Sequence, residues 1–258
     1  DIHNYQAKSD SIVTVGTFDG VHLGHQKILS TVKDKARQTG QTSTLVTFEP
    51  HPQLVLNRGK RPAIKVLSTY WEKINILKTM GLERLVVLEF NKQLANTSPE
   101  QFVKEILIAK LNMSHFIIGH DHSFGKDRRG NIDLLEHLGR EFSFKVDVIS
   151  PVFENSYLIS STNIRNLLLK GDVEKASEFL GRRYNLSGVV VKGFGRGKSL
   201  GFPTANIKPL TRNKLIPKIG IYATRLKVDN REYDAVTYIG NRPTFHLKKK
   251  VIEVHIIE

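Results

Sequence analysis

The chain contains no cysteine, which excludes a disulfide framework, a thiolate metal site and a cysteine nucleophile. A reducing, cytoplasmic setting fits that composition. No apolar run approaches the roughly 20 residues that a membrane helix needs, and the polar start from Asp1 to Asp10 is not a signal peptide. No membrane partner is expected. Acidic residues are the under-represented charge: 25 Asp and Glu face 39 Lys and Arg, a formal net charge of +14, which implies an anionic partner. The basic residues are dispersed, with no aromatic-interleaved basic stretch and no zinc-finger spacing. Nucleic acid is therefore not expected as a partner; phosphorylated small molecules account for the charge as well, as does a solvated basic surface for part of it. Internal repeats and low-complexity segments are also missing. With 258 residues and 40% hydrophobic content there is room for one large or two moderate domains. The chain does not begin with methionine, and Ile256-Ile257-Glu258 closes it within a strand-like pattern, so residues beyond both ends are expected.

What is present is organised around Gly16-Thr17-Phe18-Asp19-Gly20-Val21-His22-Leu23-Gly24-His25. A β-branched run, Ile12 to Val15, feeds this glycine-bracketed turn, which opens into a helical pattern carried by Ile28, Leu29 and Val32. Strand, turn and helix in that order leave the helix N-terminus as a seat for an anion. His22 and His25 share one face of the first helical turn, and Gly24 keeps side-chain bulk away from a ligand. Imidazoles placed there can donate hydrogen bonds to phosphoryl oxygens as charge builds up.

From Ser11 to about Val148, short β-branched runs alternate with helical patterns, which predicts a parallel sheet with helices on both faces. Strands are expected at 12–15, 43–48, 85–88, 116–118 and 144–148, and helices at 26–38, 68–80, 99–111 and 131–139. In such sheets ligands bind beyond the carboxyl ends of the strands. Polar residues collect there: Glu49-Pro50-His51-Pro52 after the second strand, and Gly119-His120-Asp121-His122-Ser123-Phe124-Gly125-Lys126 after the fourth. The first is equally well a proline-set loop. The second suits a nucleotide or flavin contact better than a zinc site, because consecutive residues rarely all point at one ion. Further on, Ser160-Ser161-Thr162 precede a helical pattern with Arg165 one turn in, which makes a second phosphate cradle as well as an N-cap.

Near Gly181 the character changes to strands and turns, and a second, mostly β domain is expected. Its glycine- and lysine-rich loop, Gly193 to Gly201, is neither a Walker loop nor a dinucleotide fingerprint, though its N–H groups can curl around an anion. Thr204 and Asn206, two residues apart in extended chain, offer hard oxygen ligands suited to Mg²⁺. Glu253 alternates with apolar residues; patterning leaves open whether it is a general base or a solvent-facing strand position.

Across nearly its whole length the chain resembles the bacterial bifunctional riboflavin kinase/FMN adenylyltransferase family. GTFDGVHLGH, TFEPHP, GHDHSFG, ISSTNIR, GRRYNLSG, GFPTAN, GIYAT, GNRPTF and IEVHI occur in that family's order and at about its spacing. The resemblance implies an α/β fold: a Rossmann-like nucleotidyltransferase domain over residues 1–183, then a smaller β-barrel riboflavin kinase domain over 184–258, incomplete at its C-terminus as it stands. It implies that ATP phosphorylates riboflavin to FMN and then adenylylates FMN to FAD, with Mg²⁺ as cofactor. His22, His25 and Arg165 would be catalytic in the first domain. Gly16, Phe18, Gly24, Ser160, Ser161 and Thr162 would bind ATP there, and Asp121 would contact nucleotide or flavin. In the second domain Gly195, Gly197, Lys198 and Gly201 would cover phosphates, Thr204 and Asn206 would hold Mg²⁺, and Glu253 would deprotonate the riboflavin hydroxyl. His122 stands where an aromatic residue is frequent. An aminoacyl-tRNA synthetase reading of the histidine signature is disfavoured by the short chain and the lack of a KMSKS-like motif.

Overall fold

The computed structural model describes residues 2–56, 63–120, 124–126, 129–192, 203–244 and 247–257. Two compact units divide the chain: Asp1–Asn163 with Phe179–Gly181, and Ile164–Glu178 with Arg182–Glu258.

The first unit is built on a five-stranded parallel sheet. Its strands are β1 (Ser11–Val15), β2 (Thr42–Glu49), β3 (Arg84–Glu89), β4 (Met113–Gly119) and β5 (Lys145–Ile149), in the order β3-β2-β1-β4-β5. Period-two alternation sends neighbouring residues to opposite faces, and both faces are covered. On one face Val13, Val46, Phe48, Phe116 and Ile118 pack with Phe102, Val103, Leu107 and Leu135. On the other, Ile12 and Ile117 meet Val32 and Ala36 of helix α1 (Leu23–Thr39), and Leu45 meets Leu29 and Leu77. Each such fully buried side chain contributes about 1.5–3 kcal/mol relative to exposure.

The expected helices are present, with edges set by local chemistry. Helix α2 is short (Pro52–Leu56). Helix α3 (Tyr70–Thr79) begins at a reciprocal capping box: Thr69 accepts from the Glu72 backbone, and Glu72 accepts from that of Thr69. After α4 (Lys92–Asn96), the helix expected over 99–111 begins as α5 (Pro99–Gln101) and widens into a π-helical stretch, Phe102–Ile108. Ala109 N–H bonds back to Lys104 O and Leu111 N–H to Ile106 O, five residues earlier, and this wider turn keeps Val103, Leu107 and Leu111, four residues apart, buried in one core cluster. Helix α6 (Ile132–Phe142) precedes β5, and a small hairpin, β6 (Phe153–Glu154) with β7 (Tyr157–Leu158), follows it. Then come α7 (Ser161–Lys170) and α8 (Val173–Leu180), the latter ending at Gly181 in the left-handed region expected of its C-cap.

The second unit is antiparallel. Strands β8 (Gly188–Val191), β9 (Ala205–Pro209), β10 (Gly220–Val228), β11 (Arg231–Thr244) and β12 (Leu247–Ile256) lie in the order β10-β11-β12-β9-β8. Ala235, Ile239, Ile252 and Val254 form its core, with Leu186, Ile207 and Tyr222 against them. The expected barrel is found as a barrel-like sheet that is not closed: among the described residues no ladder joins β8 to β10.

Candidate active site

In the first unit, β1 runs out at its carboxyl end into the histidine turn. Gly16 N–H continues the ladder to Val46 O at 3.0 Å, and the chain then passes through the left-handed region at Phe18 (φ 47°), Gly20 (φ 82°) and Val21 (φ 40°). Positive φ at a β-branched valine is strained backbone, held only where its surroundings fix it. The turn packs inward through Phe18 and Val21, both essentially buried. A Cβ at Gly16 would stand 2.9 Å from the Phe18 ring, and one at Gly24 would stand 3.2 Å from the His22 imidazole. Both glycines therefore let rings lie against the backbone.

His22 is the N-cap of α1 and is buried; its Nδ1 accepts from His25 N–H at 3.3 Å. A ring nitrogen that accepts carries no hydrogen, so in the neutral ring Nε2 is the donor. The His25 ring stacks on that of His22, 3.6 Å between centroids and 18° between planes, and rests on the Phe18 ring at 4.7 Å. Phe18 thus supports His25 from below.

The start of α7 lies against this turn. Ser161 Oγ donates to Asp19 O at 2.8 Å, and Ile159 O lies 3.6 Å from where a Gly24 Cβ would be. Ser160 Oγ accepts from Asn163 N–H at 3.2 Å, the N-cap role its position predicts, while Thr162 is exposed and Arg165 half-buried one turn on. The two hydroxyl- and histidine-bearing helix starts that the sequence singled out are thereby brought together. Asp121 lies outside the described residues.

Three charged groups lie beside the turn: Asp19 and Glu49, which the sequence placed within polar motifs without giving them partners, and Lys73, which it did not single out. Asp19 is buried and accepts from the backbone of Leu67 (2.9 and 3.0 Å) and Ser68 (3.0 Å). Lys73, only 5% exposed, donates to Phe48 O (3.0 Å), Thr47 Oγ1 (3.2 Å) and Thr17 O (3.3 Å), with Glu49 Oε2 at 3.9 Å. Burial pulls the Lys73 ammonium below its ordinary range, against the opposing pull of Glu49 and Asp19. Burial likewise pushes the Glu49 carboxyl up; Lys73 opposes this and Asp19 adds to it. The available signal was a lysine on the buried stripe of α3, next to Ile74 and four residues before Leu77.

In the second unit, β12 pairs with β9 so that Glu253 stands directly opposite Asn206 and Val254 opposite Ala205. Directly opposed residues share a face, and Ile252 and Val254 occupy the core face, so Glu253 and Asn206 lie together on the other. Thr204 immediately precedes β9 and is exposed. The Pro203 carbonyl beside it accepts from Nδ1 of His255 at 2.8 Å. The amide oxygen of Asn206 and the carboxylate of Glu253, opposite each other in the ladder, are hard oxygen donors of the kind Mg²⁺ prefers, and the Thr204 hydroxyl is a third such donor two residues before Asn206. Gly195, Gly197, Lys198 and Gly201 lie outside the described residues. Among the described residues no group of three or more His, Asp or Glu could hold a metal by itself.

A parallel α/β unit with histidine- and hydroxyl-bearing helix starts beyond its strands, and an antiparallel unit with a carboxylate opposite an amide, fit a two-domain enzyme of phosphate chemistry. Family models agree: FAD synthetase matches residues 4–163 and riboflavin kinase matches residues 180–258. The bifunctional riboflavin kinase/FMN adenylyltransferase of Buchnera aphidicola subsp. Schizaphis graminum is 39% identical over 99% of this chain and 82% of its own length. The Bacillus subtilis enzyme of the same name is 37% identical over 100% of this chain and 80% of its own. A solved Streptococcus pneumoniae structure, described as a macrolide-efflux protein, superposes with a TM-score of 0.87 at 30% identity, covering 100% of this chain and 83% of that one. Efflux is said of that protein alone; no described helix here is long and apolar enough to cross a membrane. The chain belongs to the bifunctional riboflavin kinase/FMN adenylyltransferase family.

Proposed function

We propose that the chain makes FAD in two steps, riboflavin to FMN in the second unit and FMN to FAD in the first, with ATP as donor in both. The observation that carries the adenylyl-transfer assignment is the stacked His22–His25 pair at the N-terminus of α1, with the Ser160–Ser161 helix start against it. There His22 and His25 donate to the ATP phosphates as FMN displaces pyrophosphate, and Ser160, Ser161, Thr162 and Arg165 close on them; Gly16 and Gly24 admit the ligand, and Asp121 contacts nucleotide or flavin. Such in-line displacements depend on positioning and charge neutralisation more than on covalent help.

In the second unit Glu253 takes the proton of the riboflavin hydroxyl, and Thr204 and Asn206 hold Mg²⁺, supported by their register with Glu253. The cation, when bound, neutralises phosphate charge. The loop with Gly195, Gly197, Lys198 and Gly201 covers the phosphates. The test is product analysis with riboflavin, ATP and Mg²⁺: FMN should appear first and FAD after it, and accumulation of FMN alone would overturn the first-unit assignment.

A further inference from the structure

A buried ammonium is costly, and replacing a buried ion pair by apolar groups is often neutral or stabilising, so net stability does not explain Lys73. Its contacts suggest a more specific task. The ammonium binds the backbone where β1 ends, at Thr17 O, and where β2 ends, at Phe48 O. Thr47 Oγ1, which lies 3.2 Å from that ammonium, also donates to Thr17 O at 3.2 Å. Two residues after Thr17 the Asp19 carboxylate accepts from the backbone N–H groups of Leu67 and Ser68, which lead into Thr69, the N-cap of the helix that carries Lys73. Between and after these two holds lie the positive-φ residues Phe18, Gly20 and Val21, and the next residue is His22. A backbone so strained keeps one conformation only where its neighbours over-determine it.

We propose that Lys73 is a positioning residue for adenylyl transfer: held by α3, its ammonium pins the carbonyl of Thr17 and so fixes the strained turn that sets the stacked His22 and His25. The inference rests on the reading of that histidine pair as the phosphate seat. Lys73 needs no contact with substrate for this role, since its ammonium donates to Thr17, Thr47 and Phe48 at the exits of β1 and β2.

The test compares Lys73→Met in two backgrounds, the otherwise unaltered chain and a His22→Ala/His25→Ala chain, assaying FMN adenylylation and riboflavin phosphorylation in the same preparations. In the unaltered background kcat for adenylylation should fall on the order of 10- to 100-fold, as for a misplacement of about 1 Å, with phosphorylation unchanged. In the histidine-free background the same substitution should cost less than about 3-fold, because coupled residues are non-additive. An unchanged kcat, or an equal fall in both backgrounds, would overturn the proposal. Thr47→Val, which keeps volume and removes the hydroxyl bridging Lys73 and Thr17, should show a smaller fall with the same dependence on background and replaces Lys73→Met if that variant does not fold. If His22→Ala/His25→Ala itself retained full adenylylation, the phosphate-seat reading would fail first, which separates the two failures.

Discussion

At the scale of single residues, the stacked imidazoles of His22 and His25 stand on a strained turn that Asp19 and Lys73 hold from either side of Phe18. The histidine turn and the Ser160–Ser161 helix start were legible in the sequence because each joins a chemical type to a local geometry; the placing of Glu253 opposite Asn206 was not, and Lys73 and Asp19 were not assigned roles, because their partners lie 24 to 56 residues away and meet only in the folded unit. Glu253→Gln keeps the size of a side chain directly opposite Asn206 and removes its basicity. It should lower riboflavin phosphorylation by at least about 100-fold, the usual scale of a general base, while FMN supplied directly is still adenylylated. An unaltered phosphorylation rate would leave Glu253 as a strand residue only. Gly20→Ala tests the turn. Its φ of 82° and a Cβ placed 2.8 Å from Leu67 Cδ1 should cost at least about 1 kcal/mol, read as a lower midpoint in urea unfolding of the first unit.

At the scale of elements, strand and helix order in the first unit followed from alternation and caps, whereas the π-helical widening and β9 did not. Residues Phe102–Ile108 read as an ordinary helix because a one-residue change of repeat hardly alters a short apolar pattern. Strand β9 is five residues with a lysine and a proline, a weak strand by composition that exists because β8 and β12 pair with it on either side. The β4–β5–α1 layer carries its own prediction. His115 on β4 is buried with Nε2 3.0 Å from Asp147 Oδ2 on β5, and Lys35 of α1 is 2.6 Å from the same oxygen. Burial lowers the His115 pKa, outweighing the upward pull of Asp147, while Lys35 and Lys145 lower it further. A histidine depressed in the folded state contributes stability that is present above its unfolded pKa of about 6.5 and is lost as pH falls through the folded value. The melting temperature should therefore decline on acidification from pH 7 to pH 5, and less in His115→Gln, which cannot titrate. Asp147 acts in a different window. Burial raises its pKa, but the Lys35 hydrogen bond and His115 outweigh that, so its share of stability is lost only at still lower pH. Equal slopes between pH 7 and 5 in the two proteins would remove His115 from this explanation.

At the scale of the molecule, two units of different architecture carry two phosphate chemistries in one family of enzymes. The net charge of +14 suits the polyphosphate and flavin phosphate that both sites handle, and substrate capture should weaken with salt for that reason. Doubling the ionic strength from 0.1 M should raise KM for ATP at each site while leaving kcat nearly constant; a kcat effect without a KM effect would contradict electrostatic capture. Because the two activities fall in different units, each serves as the internal control for protein concentration and ATP supply when the other is assayed.

The most direct measurement gives purified His22→Ala/His25→Ala protein FMN, ATP and Mg²⁺ and follows FAD and pyrophosphate, with riboflavin phosphorylation measured in parallel. Adenylylation should fall by at least about 100-fold, the scale of losing preorganised donors at a developing charge, with phosphorylation intact. Undiminished FAD production by a protein that still phosphorylates riboflavin would contradict the assignment of the stacked imidazoles to the triphosphate.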